Sequence, residues 1–158
     1  MAIHRPCLEN RMKDPGHYEQ LSVHFDDLDP MGVLHNSRYA ALVERAIHAH
    51  WLRLGWAPDA AVSAFPDVLV AVREVRTTFH RPITGVCAPV VHFWIERMGR
   101  TSCVHGYRIL SPDRSAVHAE GHRAIVNLDP GTGRPAPFSD GLRVAEGLSP
   151  QVAGSATP

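Results

Sequence analysis

The chain has 158 residues, 44% apolar and 20% charged, with 16 Lys and Arg against 16 Asp and Glu. One domain of this size can bury a core without staples, and a net charge of zero lacks the basic footprint of a general nucleic-acid binder. No apolar run approaches the ~18–20 residues that cross a bilayer, and the start has no apolar stretch of the signal-peptide kind.

Residues 1–17 read as a polar lead-in. From Gln20 to Phe25 the alternation of Leu21, Val23 and Phe25 predicts a strand. A turn cluster with Pro30 and Gly32 follows. His35 to Leu54 is the clearest helix, because Tyr39, Leu42, Val43, Ala46, Ile47, His50, Trp51 and Leu54 recur at i, i+3, i+4 spacing. Asn36 or Ser37 would cap it, and Gly55 stands where it should stop. Four strand-like runs come next, at 68–79, 90–98, 102–110 and 117–128, with short breaks that suit antiparallel hairpins. The domain is expected over 18–140, and the Pro- and Gly-rich tail, 141–158, is expected to be flexible. The order predicts an α+β layer with one helix on one face of a five-stranded antiparallel sheet. No second long helix covers the other face, which calls for a dimer or a higher oligomer.

The unusual residues concentrate between Val23 and Tyr39. Three aspartates, Asp26, Asp27 and Asp29, precede a helix start whose N–H groups and dipole can hold an oxyanion. A carboxylate beside such a site is what hydrolysis of an activated carbonyl needs. The same aspartates are also ordinary turn and helix-start residues.

The motif D-x-D-P-x-G-x-x-H-N-x-x-Y (Asp27 to Tyr39), followed by V-E-R-A, resembles the 4-hydroxybenzoyl-CoA thioesterase-like branch of the hotdog superfamily. A later F-x-x-P-x-x-G step (Phe79, Pro82, Gly85) adds to the likeness, which covers about Leu21 to Leu128. The resemblance implies a hotdog fold: a five-stranded antiparallel sheet wrapped around one long helix, paired into a homodimer or homotetramer with active sites at the subunit interface. It implies that Asp29 is the catalytic carboxylate and that the Asn36 N–H, with His35 beside it, polarises a thioester carbonyl. The substrate would be an acyl-CoA or an acyl carrier protein thioester, with coenzyme A as part of the substrate and no separate cofactor. The turn Glu96–Ser102 resembles one that relatives use for the nucleotide end, which makes Arg97 and Arg100 candidates for the CoA phosphates. Many relatives carry Asp where Val86 stands here. Glu44 is a secondary catalytic candidate, or else half of an ion pair with Arg45 or Arg38.

Two other functions stay open. Hotdog hydratases resemble D-x-N-P-x-H, but here Asp29 and His35 are six apart and the Asn-Pro is missing. A non-catalytic thioester-binding protein is the other. Metal catalysis is not expected. Among 11 histidines no H-E-x-x-H occurs, His48 and His50 point to different helix faces, and the strand histidines assemble no site by pattern. Cys7, Cys87 and Cys103 form no C-x-x-C pair, so neither a zinc framework nor a disulfide scaffold is indicated, and a reducing cytoplasm is the expected compartment.

Overall fold

A computed structural model describes residues 15–148. The elements in chain order are β1 (His17–Gln20), a 3-10 turn (Phe25–Asp27), α1 (Asn36–Leu54), β2 (Leu69–Phe79), β3 (Val90–Met98), β4 (Ser102–Leu110), β5 (Val117–Leu128) and α2 (Asp140–Ala145). The strands form one antiparallel sheet in the order β1-β3-β4-β5-β2. One long helix lies against it, so this is the α+β hotdog fold.

The apolar stripe of α1 explains the packing. Tyr39, Leu42, Val43, Ala46, Ile47, His50 and Trp51 are all buried. They meet Phe93, Cys103, Tyr107 and Ile125 of the sheet in one core. Each large apolar side chain buried in this way contributes about 1.5–3 kcal/mol. Gly55 ends α1 in the left-handed region, at φ 100°, and its N–H returns to the Leu52 carbonyl. Across the sheet, Gly121 lets β2 and β5 close up. A Cβ there would stand 1.8 Å from the Arg76 carbonyl oxygen, which also accepts the Tyr107 hydroxyl at 3.0 Å.

Three local expectations need correction. The first strand lies at His17–Gln20, ahead of the expected 20–25. Beyond it the chain stays extended only as far as Val23, which bridges Cys87, and then the Asp27 carboxylate accepts the His24 N–H at 2.9 Å and bends the chain into a turn. Phe25 is therefore 84% exposed. The cap of α1 is His35, one residue before the expected caps, because its ring nitrogen accepts the Ser37 N–H at 3.3 Å. The tail expected to be flexible from 141 carries α2, capped by Ser139 and anchored by fully buried Leu142. Residues 1–14 of the expected lead-in and 149–158 of the tail lie outside the described residues. No helix among the described residues is long and apolar enough to cross a membrane.

Candidate active site

The loop between β1 and α1 is built by its aspartates. Asp27 is buried; beside the His24 N–H it faces the Arg38 Nε at 3.5 Å, and its carbonyl accepts the His35 N–H at 3.0 Å. Asp29 closes the next turn. Its Oδ1 accepts the N–H groups of Met31 at 2.9 Å and Val33 at 3.1 Å, and its own N–H donates to the Val33 carbonyl at 2.8 Å. Both side-chain bonds fall on Oδ1, and among the described residues no hydrogen bond reaches Oδ2.

The two motifs that stand about fifty residues apart in sequence meet here. Val33 bridges Thr84, the Leu34 N–H donates to the Ile83 carbonyl at 2.8 Å, and the Gly85 N–H donates to the Gly32 carbonyl at 2.9 Å. The Ile83 N–H also reaches the Tyr39 hydroxyl at 3.4 Å. Between them opens a pocket of about 250 Å³, lined by Val33, Leu34, Asn36 and Tyr39 on one side and Phe79, His80, Arg81 and Pro82 on the other. Tyr39 and Phe79 meet edge-to-face at 4.9 Å and give it an aromatic wall.

Asn36 thus lines a pocket at the start of α1. The Ser37 N–H is held by the His35 ring and the Arg38 N–H by the His35 carbonyl, while the Asn36 N–H has no acceptor among the described residues. No acidic side chain sits in the first turn to compete for that positive end. His35 itself is exposed, and its Nδ1 is engaged by the Ser37 N–H and hydroxyl. Asp29 is not part of the pocket lining, but its turn bonds directly to Val33, which is.

The other candidates lie elsewhere. Glu44, two turns along α1, faces the Arg123 Nη2 at 3.5 Å and His48 at 4.0 Å. Its partners are neither Arg45 nor Arg38. Arg97 and Arg100 are exposed at the β3–β4 turn. In register, Phe79 faces Ala119, Ala119 faces Ile109 and Ile109 faces Val91. Arg97 is six residues beyond Val91, roughly 20 Å along the strand. Within one chain these arginines do not reach the pocket.

The expectation of no metal and no separate cofactor needs correction, because one side-chain cluster could hold a metal ion. His17, His50 and Glu146 bring their ligating atoms within 4.8 Å of one another. The His50 Nε2 and a Glu146 carboxylate oxygen are 3.1 Å apart, and the Trp51 Nε1–H donates to the other oxygen at 2.7 Å. Burial pushes the Glu146 carboxyl up, but the bonds from His50 and Trp51 outweigh it and hold the group below its ordinary value. Sequence spacing could not show this set. His17 falls in the expected lead-in, Glu146 falls in the expected tail, and 96 residues separate His50 from Glu146. The one available signal was His50 on the apolar stripe, since a buried imidazole demands a partner.

The fold and the family comparison agree. Residues 23–145 match the thioesterase-like superfamily, and the chain belongs to that family. No curated protein matches it in sequence. It is similar in structure to a thioesterase from Thermus thermophilus solved with coenzyme A and Zn, with 24% identity over 82% of this chain and 95% of that one and a TM-score of 0.67. A 1,4-dihydroxy-2-naphthoyl-CoA thioesterase from Synechocystis gives a TM-score of 0.72 at 15% identity, covering 82% of this chain and 93% of that one. The PA5185 protein from Pseudomonas aeruginosa gives 0.74 at 19% identity, over 86% and 93% of the two chains.

Proposed function

We propose that the protein hydrolyses an acyl-CoA, or an acyl carrier protein thioester, to a free acid and a thiol. The observation that carries this reading is the convergence of the Asp29 turn, the bare Asn36 N–H and the Phe79–Pro82 segment at one pocket. The thioester carbonyl oxygen accepts the Asn36 N–H, and the helix dipole stabilises the oxyanion that forms. Asp29 keeps Oδ1 in the turn and uses Oδ2. It either takes a proton from water, whose oxygen then adds to the carbonyl carbon, or adds to that carbon itself to form a mixed anhydride that water hydrolyses. In both routes the C–S bond breaks and the sulfur leaves as thiolate, which then takes up a proton. His35 orients the helix start through Ser37. Arg97 and Arg100 are the groups for the CoA phosphates, while Glu44 is the counter-charge of Arg123.

Two further readings belong to this proposal. The protein acts as a homodimer, because β2 is an eleven-residue edge strand carrying half-exposed Leu69, Val72, Val75 and Phe79. It works in the cytoplasm, for which the free Cys87 and Cys103 are suited.

The test is thiol release from short aliphatic, long aliphatic and aromatic thioesters of CoA and of acyl carrier protein, with wild type beside Asp29→Asn. Turnover on at least one ester that falls ~100-fold or more in the variant is expected. Full turnover in Asp29→Asn overturns the role of Asp29, and no turnover on any ester of either carrier overturns the reaction. In heavy-oxygen water, label found in Asp29 establishes the anhydride route, since the general-base route never places oxygen there.

A further inference from the structure

We propose that His17, His50 and Glu146 form a zinc-binding site that ties β1, α1 and the segment after α2 together. The three side chains come from three separate parts of the chain, yet their ligating atoms lie within 4.8 Å of one another. Two imidazoles and one carboxylate are a donor set that zinc accepts, with water in the fourth position. Zinc bonds of about 2.0–2.2 Å at the tetrahedral angle put neighbouring ligand atoms about 3.3–3.6 Å apart. The His50 nitrogen and the Glu146 oxygen stand 3.1 Å apart already.

The surroundings complete the site. The Trp51 indole N–H holds the second Glu146 oxygen at 2.7 Å, which fixes the carboxylate as an outer-shell partner does. Trp51 is 2% exposed, so that donor is itself fixed. His17 packs its ring on His50 with centroids 3.7 Å apart and is exposed to solvent, which gives an ion a way in. Arg53 pairs with Glu19 beside the cluster and holds α1 on β1 without the metal.

The site is separate from the pocket. His50 is fourteen residues after Asn36 on one continuous helix, about 21 Å along its axis. The proposal does not rest on the hydrolytic reading, and its test reads metal rather than turnover. The full chain is loaded with Zn2+, passed through a desalting column, and assayed for bound zinc, and a competing chromophoric chelator gives the affinity. One zinc per chain is expected, with a rise in Tm that EDTA reverses. His50→Gln and His17→Gln each lower the affinity at least ~10-fold, Trp51→Phe lowers it ~10–100-fold, and His48→Gln leaves it unchanged. Co2+ loaded in place of zinc shows the strong visible absorption of a four-coordinate ion, which a hydrogen-bonded network alone never gives. His17 lies at the exposed edge, so His17→Gln tests the site even where His50→Gln fails to fold. Zinc that is not retained overturns the proposal, as does zinc retained equally by wild type and His17→Gln.

Discussion

His105 offers the sharpest test of the core electrostatics. It sits on β4 at 1% exposure, between the Trp51 ring at 6.2 Å and the Cys103 sulfur at 4.0 Å. Burial brings its pKa from 6.5 down to about 4; Glu146 acts against this, while Arg123, His50 and His17 add to it. Cys103 adds no charge there, since burial pushes its thiol up to about 12. Below pH 6.5 the unfolded imidazole takes a proton that the folded one refuses. The neutral His105 therefore contributes stability that is fully present above pH 6.5 and is lost as the pH falls through about 4. At 1.36 kcal/mol per pKa unit, the gap between 6.5 and 4 is worth roughly 3 kcal/mol. Urea unfolding in EDTA at steps between pH 7 and pH 4, for wild type and His105→Asn, reads it directly. Groups common to both proteins cancel in the difference, and the slope m should not change. Wild type should lose about 3 kcal/mol more than the variant over that range. Parallel stability curves would refute the reasoning, because they would mean that folding leaves His105 free to take up protons.

The turn role of Asp29 separates from its chemical role. Asp29→Ala removes the acceptor for the Met31 and Val33 N–H groups and should cost about 1–2 kcal/mol in urea unfolding. Asp29→Asn keeps the acceptor oxygen and should stay within about 0.5 kcal/mol of wild type. Arg123 gives a second case: it is buried at 3% exposure, its Nη1 has no partner among the described residues, and Glu44 is its counter-charge. Glu44→Gln should cost about 1–2 kcal/mol, discounted because Glu44 is half exposed. Adding Arg123→Met should return most of that loss, and a double variant worse than either single would refute the pairing.

Much of this was legible in the sequence, for physical reasons. The stripe from Tyr39 to Trp51 declares a helix at its own period, and β3, β4 and β5 run between residues that break strands. The Asp27–Tyr39 motif marked the loop that carries the pocket. What stayed hidden was contact between distant segments. Val23 alternates with Leu21 and Phe25 as a strand should, yet a single bond to the Asp27 carboxylate ends the extended run. The Gly- and Pro-rich composition near residue 141 reads as a tail, yet Leu142 finds a fully buried place and carries Glu146 to His50 and Trp51. Periodicity reports which face of an element is buried. It does not report which polar group of another element waits there.

The distance of Arg97 and Arg100 from the pocket has a geometric remedy in the edge of β2. Two copies pairing β2 antiparallel about a two-fold axis put the Phe79 end of one strand beside the Leu69 end of the other. Phe79 lines the pocket, while Leu69 faces Leu128 and the neighbouring Asn127 N–H donates to the Thr101 carbonyl, in the turn that holds Arg100. Pairing therefore carries the arginine-bearing end of each copy toward the pocket of the other. Val72 and Val75 are 48% and 40% exposed on that strand. Val72→Lys with Val75→Lys repeats each charge across the two-fold, and lysine is the residue that natural edge strands use to prevent pairing. Light scattering after gel filtration should show a dimer for wild type and a monomer for the double variant. Arg97→Ala and Arg100→Ala should raise KM for acyl-CoA at least ~10-fold, the scale of one lost charge-assisted contact to phosphate, with kcat little changed. Loss of pairing should raise KM in the same way, and adding either arginine variant to the monomer should then have no further effect. A double lysine variant that stays dimeric would rule out the β2 edge. Arginine variants that still weaken the monomer would show that these residues reach the CoA of their own chain.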